Sequence, residues 1–224
     1  MPEDGSVRDW LDHPDVQAVI PYFEEIVGES DRGATLITAE IINMALEKLI
    51  VSCLPPFLTS RKRRKDILDF SGPLGTFSAR IKFAAIQGWI SETAFNAVEA
   101  LRELRNVAAH IDAAFSLGDA ENKARLSRFL ETGDGVAVQI HNINVGLLVT
   151  DYFEKLKSSG PAIRDEIGIN PFETNQMIAD ELTKRPDWSK PLEERLPKLN
   201  MAVGAYLFVG LLTLGASKKG SQAI

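Results

Sequence analysis

Apolar residues recur every three or four positions along most of this chain, which is the spacing of helices that turn one face toward a core. The clearest case is the range 30–54, which two consecutive prolines end, because proline cannot donate the next backbone hydrogen bond. A shorter first helix is predicted over 15–27, with Pro21 as a candidate kink. The apolar positions of the longer helix are Leu36, Ile37, Ile41, Met44, Ala45, Leu49 and Ile50.

The same periodicity predicts helices further along the chain. Gly88 ends a helix that begins at 76 or 77, and Ser91 is a suitable N-cap for the next one, which runs to about 114. The range 136–140 alternates only loosely and fits either a strand or the start of a helix. Further helices are predicted over 120–130, 147–156, 175–183 and 198–216.

These elements predict an all-α helical bundle with three regions. Residues 1–156 form the main helical domain. Residues 157–196 are the part richest in proline and polar residues, so an insertion or a loose, irregular subdomain is expected there. Residues 197–224 form an apolar C-terminal helix that packs on the bundle.

The C-terminal helix allows two interpretations. Residues 199–217 are nineteen uncharged residues followed by two lysines, which is long enough to span a bilayer as an anchor. Asn200, Thr213 and three glycines in this stretch favour a helix buried inside a bundle. We therefore predict a buried helix and keep a membrane anchor as the alternative.

Composition and charge narrow the classes of function. The 224 residues carry a formal charge of −6, which argues against broad binding to DNA. The single cysteine, Cys53, can form neither an internal disulfide nor a thiolate metal site, and its apolar neighbours predict that it is buried. The first ten residues are acidic and lack an apolar core, so no secretory signal and a cytoplasmic location are expected.

No cofactor or metal site is indicated by the sequence. His13 and His141 lie far from each other and from carboxylates at ligand spacing, so we predict no metal site. Glycine-rich phosphate loops and nucleophile elbows are missing from the sequence as well.

Five consecutive basic residues form one candidate binding segment. A cluster of this kind attracts nucleic acid or an acidic partner through charge that weakens with salt. No aromatic residue interrupts it, so stacking on bases is not indicated, and a solvated loop before a helix is the alternative. The five residues are Arg61, Lys62, Arg63, Arg64 and Lys65.

A second candidate site lies on the predicted helix 91–114. Arg102, Asn106 and His110 are spaced by four, and Arg105 follows Arg102 by three, so the four polar groups share one stripe. Histidine can transfer protons near neutral pH, and arginine offers a charged fork to phosphate oxygens. Metal-independent RNA cleavage is one chemistry for this stripe, and contacts to neighbouring carbonyls with a helix-capping histidine are the structural alternative.

The motif at this site resembles a known signature. Arg105-Asn106-Val107-Ala108-Ala109-His110 is similar to the R-x4-H motif of the HEPN superfamily of helical domains. That resemblance implies an endoribonuclease site composed of Arg105, Asn106 and His110, completed across a homodimer.

A longer stretch resembles the mannitol operon repressor (MtlR-like) family. The resemblance covers about 37–130 and implies a homo-oligomeric transcription regulator that acts through a protein partner without reading a DNA sequence. The residues that fit its two motifs are Gly72, Pro73, Leu74, Gly75, Phe77, Ser78, Ala79, Ile81 and Lys82, followed by Arg105, Asn106, Ala109 and His110.

The glycine-proline segment predicts a contact with the polar stripe. Pro73 fixes a turn, and Gly72 and Gly75 permit a close approach of backbone, which leaves carbonyl groups that need hydrogen-bond donors. We expect Arg102 or Arg105 to supply at least one of these donors.

Overall fold

The protein is an all-α helical bundle, as predicted. The computed structural model describes residues 12–110 and 114–220, with residues 215–220 by their backbone only, and every regular element in these ranges is helical. A single 3-10 turn covers Pro56–Leu58. The α-helices are α1 (Pro14–Gln17), α2 (Tyr22–Gly28), α3 (Asp31–Ser52), α4 (Arg61–Leu68), α5 (Phe77–Ile86), α6 (Glu92–His110), α7 (Ala120–Leu130), α8 (Val136–Ile167), α9 (Asn175–Thr183) and α10 (Lys190–Gly220).

The main core lies where α3, α6 and α10 meet. α3 packs against α10, α6, α5 and α2, while α6 also packs against α7. The largest side chains in this core have no exposed surface, which is the burial that the apolar periodicity of these helices predicts. They include Ile42, Leu46, Ile81, Leu101, Leu104, Phe129, Met201 and Phe208.

Hydroxyl side chains cap the start of four of the described helices. The hydroxyls of Ser30, Thr76, Ser91 and Thr174 accept hydrogen bonds from backbone N–H groups three residues later, at 3.1–3.2 Å. Such caps satisfy N–H groups that have no partner inside the helix. The predicted cap at Ser91 is confirmed.

The structure corrects the predictions for 15–27 and Cys53 and decides between the two alternatives for 136–140. The helix expected over 15–27 is two short helices, α1 and α2, because Pro21 has no N–H to continue the hydrogen-bond ladder. The range 136–140 is helical and begins α8, which extends beyond the predicted 147–156 helix to Ile167. Cys53, predicted to be buried, is exposed, because α3 ends at Ser52 just before it.

A second, smaller hydrophobic cluster lies in the region 157–196. Phe172, Ile178 and Leu182 are buried there between the second half of α8 and α9. The rings of Tyr152 and Trp188 stack with their centroids 6.1 Å apart. This region is largely helical, and both α8 and α10 continue across its limits. The division of the chain into three regions stays a prediction.

The helix α10 is apolar and packs against α3, α8, α2 and α7. Within it, Lys190–Leu214 is long and apolar enough to cross a bilayer, and half of its most apolar window is buried in the protein. A buried hydrogen bond of 2.8 Å, from the Asn144 amide to the Asn200 carbonyl oxygen, joins α8 to α10. Burial and a hydrogen bond between buried amide side chains are features of a helix inside a bundle.

Gly204 sets how closely α10 approaches α7. A Cβ atom at Gly204 would lie 2.7 Å from Leu130 Cδ2 and 2.8 Å from Phe129 Cε1, whereas a Cβ atom at Gly146 on α8 would meet nothing within 4 Å. We expect Gly204→Val to lower the free energy of unfolding by about 1–3 kcal/mol through overpacking. Gly146→Val should change the free energy of unfolding by less than about 0.5 kcal/mol, because the helix propensities of glycine and valine differ by only a few tenths of a kcal/mol. Urea denaturation measures both, and equal effects would contradict the close packing at Gly204.

Candidate functional site

The five basic residues form the first turns of α4. A solvated loop was the alternative for this segment, but helix α4 includes all five residues and has no buried side chain. The Arg63 guanidinium donates to the Phe57 carbonyl oxygen, and the Lys65 ammonium lies 3.6 Å from the Asp69 carboxylate. Arg61, Lys62 and Arg64 have no hydrogen-bond or ion-pair partner within the described ranges. Their charge is therefore free to act on a partner.

Two exposed phenylalanines flank this basic helix. Phe57 is 65% exposed before α4, and Phe70 is 88% exposed after it. These rings lie outside the basic run, which contains no aromatic residue itself, so the run alone did not predict them. Aromatic side chains and arginine are enriched at protein interfaces relative to the rest of the surface.

The glycine-proline turn folds back on the end of α4. The Leu74 N–H donates to the Ile67 carbonyl oxygen at 2.9 Å, and the Gly72 N–H donates to the Asp69 carbonyl oxygen at 2.7 Å. A Cβ atom at Gly72 would lie 2.5 Å from two backbone oxygens of α4, and one at Gly75 would collide with the Asp69 carbonyl. Glycine is therefore required at both positions by the close approach of backbone to backbone.

Arg80 holds this turn, the end of α4 and α3 together. Its side chain is buried, with 6% of the residue exposed. Its Nε donates to the Leu74 carbonyl oxygen at 3.0 Å and its Nη2 to the Leu68 carbonyl oxygen at 3.2 Å. On α3, its Nη1 donates to Asn43 Oδ1 and its Nη2 pairs with Glu47 Oε2, each at 2.8 Å.

The prediction that Arg102 or Arg105 supplies donors to this turn is wrong. Both Arg102 Nε and Nη2 donate to Glu99 Oε2, at 3.0 and 2.8 Å, and Arg105 donates only to Asn106, at 3.4 Å. Arg80 replaces them because it is in the first turn of α5, directly after the glycine-proline segment. The hydrogen bond from Arg102 to Glu99 also raises the pKa of the Arg102 guanidinium.

Of the two arginines in the polar stripe on α6, Arg102 is the one that pairs with a carboxylate among the described residues. Besides the Glu99–Arg102 pair, Glu103 on the same helix pairs with Arg128 of α7 at 2.7 Å. An arginine whose fork already holds a carboxylate is less able to accept a phosphate. Arg102 is therefore the least suitable member of the predicted binding set for an added anion.

The three residues of the candidate ribonuclease motif lie on one continuous helix. Arg105 and His110 are exposed and Asn106 is half-buried, all within the last two turns of α6. The arginine and the histidine are five positions apart on the helix, which corresponds to about 7.5 Å of rise and about 140° of rotation. The two side chains therefore leave the helix in different directions. Within a single chain, the side chains of Arg105 and His110 therefore do not point toward the same phosphate group.

Arg105 lines a groove that connects α6 with the end of α4. The groove has a volume of about 450 Å³ and lies between α3, the glycine-proline turn and Arg105. Phe70 and Gly75 line it from the turn, and Glu40 and Asn43 line it from α3. Arg105 and the segment that follows α4 thus line one groove, but the five basic residues are not among its lining.

Arg80 lies within the glycine-proline motif, but its role was not predicted from the sequence. The available signal was a charged residue between Ala79 and Ile81 on a helix whose other members are mostly apolar. Such a residue is buried only when partners neutralise it. Elsewhere, within residues 12–110 and 114–220, no cluster of three or more histidine, cysteine or acidic side chains could hold a metal ion.

Comparison with known proteins gives no match: no family model, no curated protein and no solved structure is similar to this chain. The MtlR-like and HEPN resemblances stay predictions that depend on the quoted motifs alone.

Arg80→Met should lower the free energy of unfolding by about 2–4 kcal/mol, because it leaves two carbonyl groups and the Glu47 carboxylate without their donor. The control is Arg128→Met, which removes an exposed ion pair and should cost less than about 1 kcal/mol. Urea denaturation of both variants tests this. A loss at Arg80 no larger than that at Arg128 would contradict the clamp.

Proposed function

We propose that this protein is a helical regulatory protein, similar to the MtlR-like family, that acts by binding a protein partner through α4 and not by reading DNA. The single observation that supports this is the set of unpaired cations on α4. They lie on a helix that contributes no side chain to the core. A helix that adds nothing to the core, but is held in place by a buried arginine, is suited to binding.

The charge distribution favours an acidic protein surface over duplex DNA. The chain carries −6 and the basic segment +5, which leaves −11 for all other residues. A long duplex extends past one short helix and meets this negative surface, which repels phosphates. An acidic patch on a folded partner is small enough to contact α4 alone.

The exposed phenylalanines supply the apolar part of such an interface. Phe57 and Phe70 lie at the two ends of α4, so an acidic partner that contacts the cations also covers one or both rings. Burial of one phenylalanine contributes about 1.5–3 kcal/mol, and the cations add specificity and a faster encounter.

Binding to an acidic probe peptide should depend on α4 and on salt. The probe is a fluorescent peptide of glutamates interspersed with leucines, measured by anisotropy, with duplex DNA as comparison. We expect the combined variant R61E/K62E/R64E to weaken peptide binding by at least about tenfold, since each lost charge contact contributes a fraction of a kcal/mol or more. Wild-type affinity for the peptide should fall as salt rises.

The matched control is K123E/R185E/K190E, which changes three other exposed cations and gives the same net charge. This variant should bind the peptide within about twofold of wild type, because its charges lie away from α4. Equal losses in the two variants, or duplex DNA binding as tightly as the peptide, would contradict the proposal.

Metal-independent RNA cleavage by a homodimer is the second candidate function. The exposure of Arg105 and His110 at the end of α6 favours it, because a second copy could bring its own motif to the same phosphate. A composite site would overcome the divergence of the two side chains on one helix.

Incubation with mixed RNA in EDTA separates the two candidates. The docking proposal predicts that wild type and His110→Ala leave the RNA equally intact. Cleavage by wild type that His110→Ala reduces by about a hundredfold, the usual contribution of a general acid or base, would establish the ribonuclease instead.

A further inference from the structure

A cavity lies on the side of α3 that faces away from Arg80. It has a volume of about 270 Å³ and opens between α1, α3 and the last described turns of α10. Its apolar wall includes Ile41 and Ala45 of α3 with Val209 and Leu212 of α10. On the helical wheel these α3 positions lie about 150° from Asn43 and Glu47, which hold Arg80. The cavity is therefore separate from the α4 surface.

The polar end of this cavity is rich in hydrogen-bond donors. The Asp15 N–H donates to His13 Nδ1 at 3.2 Å, so this nitrogen is an acceptor and the hydrogen of a neutral imidazole is on Nε2. The Lys48 ammonium uses one of its three N–H groups on Asp15 Oδ1, at 2.7 Å. Within the described residues, two hydrogens of the Lys48 ammonium and the Nε2–H of His13 therefore remain to donate to a ligand.

We propose that this cavity binds a small carboxylic acid with an apolar tail. The tail lies between α3 and α10, and the carboxylate accepts hydrogen bonds from Lys48 and His13. A cavity of 150 Å³ is known to hold benzene, so one of this size accommodates roughly ten non-hydrogen atoms, the size of a medium-chain fatty acid. Lys48 donates to Asp15, whose carboxylate also lines the cavity, through one N–H group, so a ligand carboxylate can accept from the other two ammonium N–H groups and from His13 Nε2–H.

Such a ligand would connect three elements that are distant in sequence. α1 is a short helix, and its first turn depends on the His13 cap, whereas α3 and α10 belong to the main core. A molecule that contacts all three stabilises their arrangement by its binding free energy. The cavity thereby gives the protein a site at which a small apolar acid changes its stability.

The test uses octanoate as the probe and octanol and octylamine as comparisons with the same tail. Isothermal titration of the full chain should show saturable octanoate binding, at least about tenfold tighter than octanol or octylamine, the factor expected for a charge-assisted hydrogen bond. No saturable octanoate binding, or equal affinity for octanoate and octanol, would overturn the proposal.

Three variants locate the site. Lys48→Met should weaken octanoate binding by at least about tenfold, because it removes the ammonium donors and leaves the Asp15 carboxylate unpaired beside the ligand, and it should leave octanol binding within about twofold of wild type. Lys155→Met is the matched control, since Lys155 also pairs with an aspartate at 2.7 Å but lies outside the cavity. It should bind octanoate like wild type.

Ala45→Phe places a large ring in the apolar part of the cavity and should abolish binding of both octanoate and octanol. Circular dichroism checks its fold, and the surface variant Lys48→Met provides the decisive comparison if Ala45→Phe is unfolded. Undiminished octanoate binding in Lys48→Met, or in a folded Ala45→Phe, would show that the ligand binds elsewhere and would overturn the proposal.

Discussion

The buried guanidinium of Arg80 joins three parts of the chain at one point. It donates to a carbonyl at the end of α4, to a carbonyl in the glycine-proline turn and to the Asn43 amide oxygen, and it pairs with Glu47. A charged group is buried at a large cost unless hydrogen bonds and an opposite charge compensate it, so few other arrangements satisfy this arginine. The turn can approach α4 closely because Gly72 and Gly75 have no side chains. Together these contacts hold a helix that the core itself does not hold.

The cations of the described helices fall into a paired group and an unpaired group. Cations that stabilise the fold are paired: Arg80 with Glu47, Arg102 with Glu99 and Arg128 with Glu103. The cations on α4 that have no such partner remain free for an interaction, and Arg105 borders the adjoining groove. On the opposite side of α3, the Asp15–Lys48 pair lies at the mouth of an apolar cavity. α3 therefore lies between the basic helix α4 and this cavity.

Periodicity predicted the helices well and the polar contacts poorly. The helix class, the Ser91 cap, and the burial of Leu101, Leu104 and Ala108 follow from spacings within one helix. The role of Arg80 depends on groups from α3, α4 and the turn, and no local spacing brings these together. Met44 was assigned to an apolar stripe but is half exposed, because it lines the cavity and not the core. The pairing of Glu99 with Arg102 was within reach of the sequence, because residues three apart on a helix are neighbours.

Native-state hydrogen exchange in Arg80→Met measures whether Arg80 fixes α4 and the glycine-proline turn on a bundle that folds around a separate core. If it does, amides in 61–75 lose protection by more than the change in global stability, while amides of α6 follow the global change alone. Protection in 61–75 that falls only in parallel with α6, or does not fall, would contradict this role of Arg80.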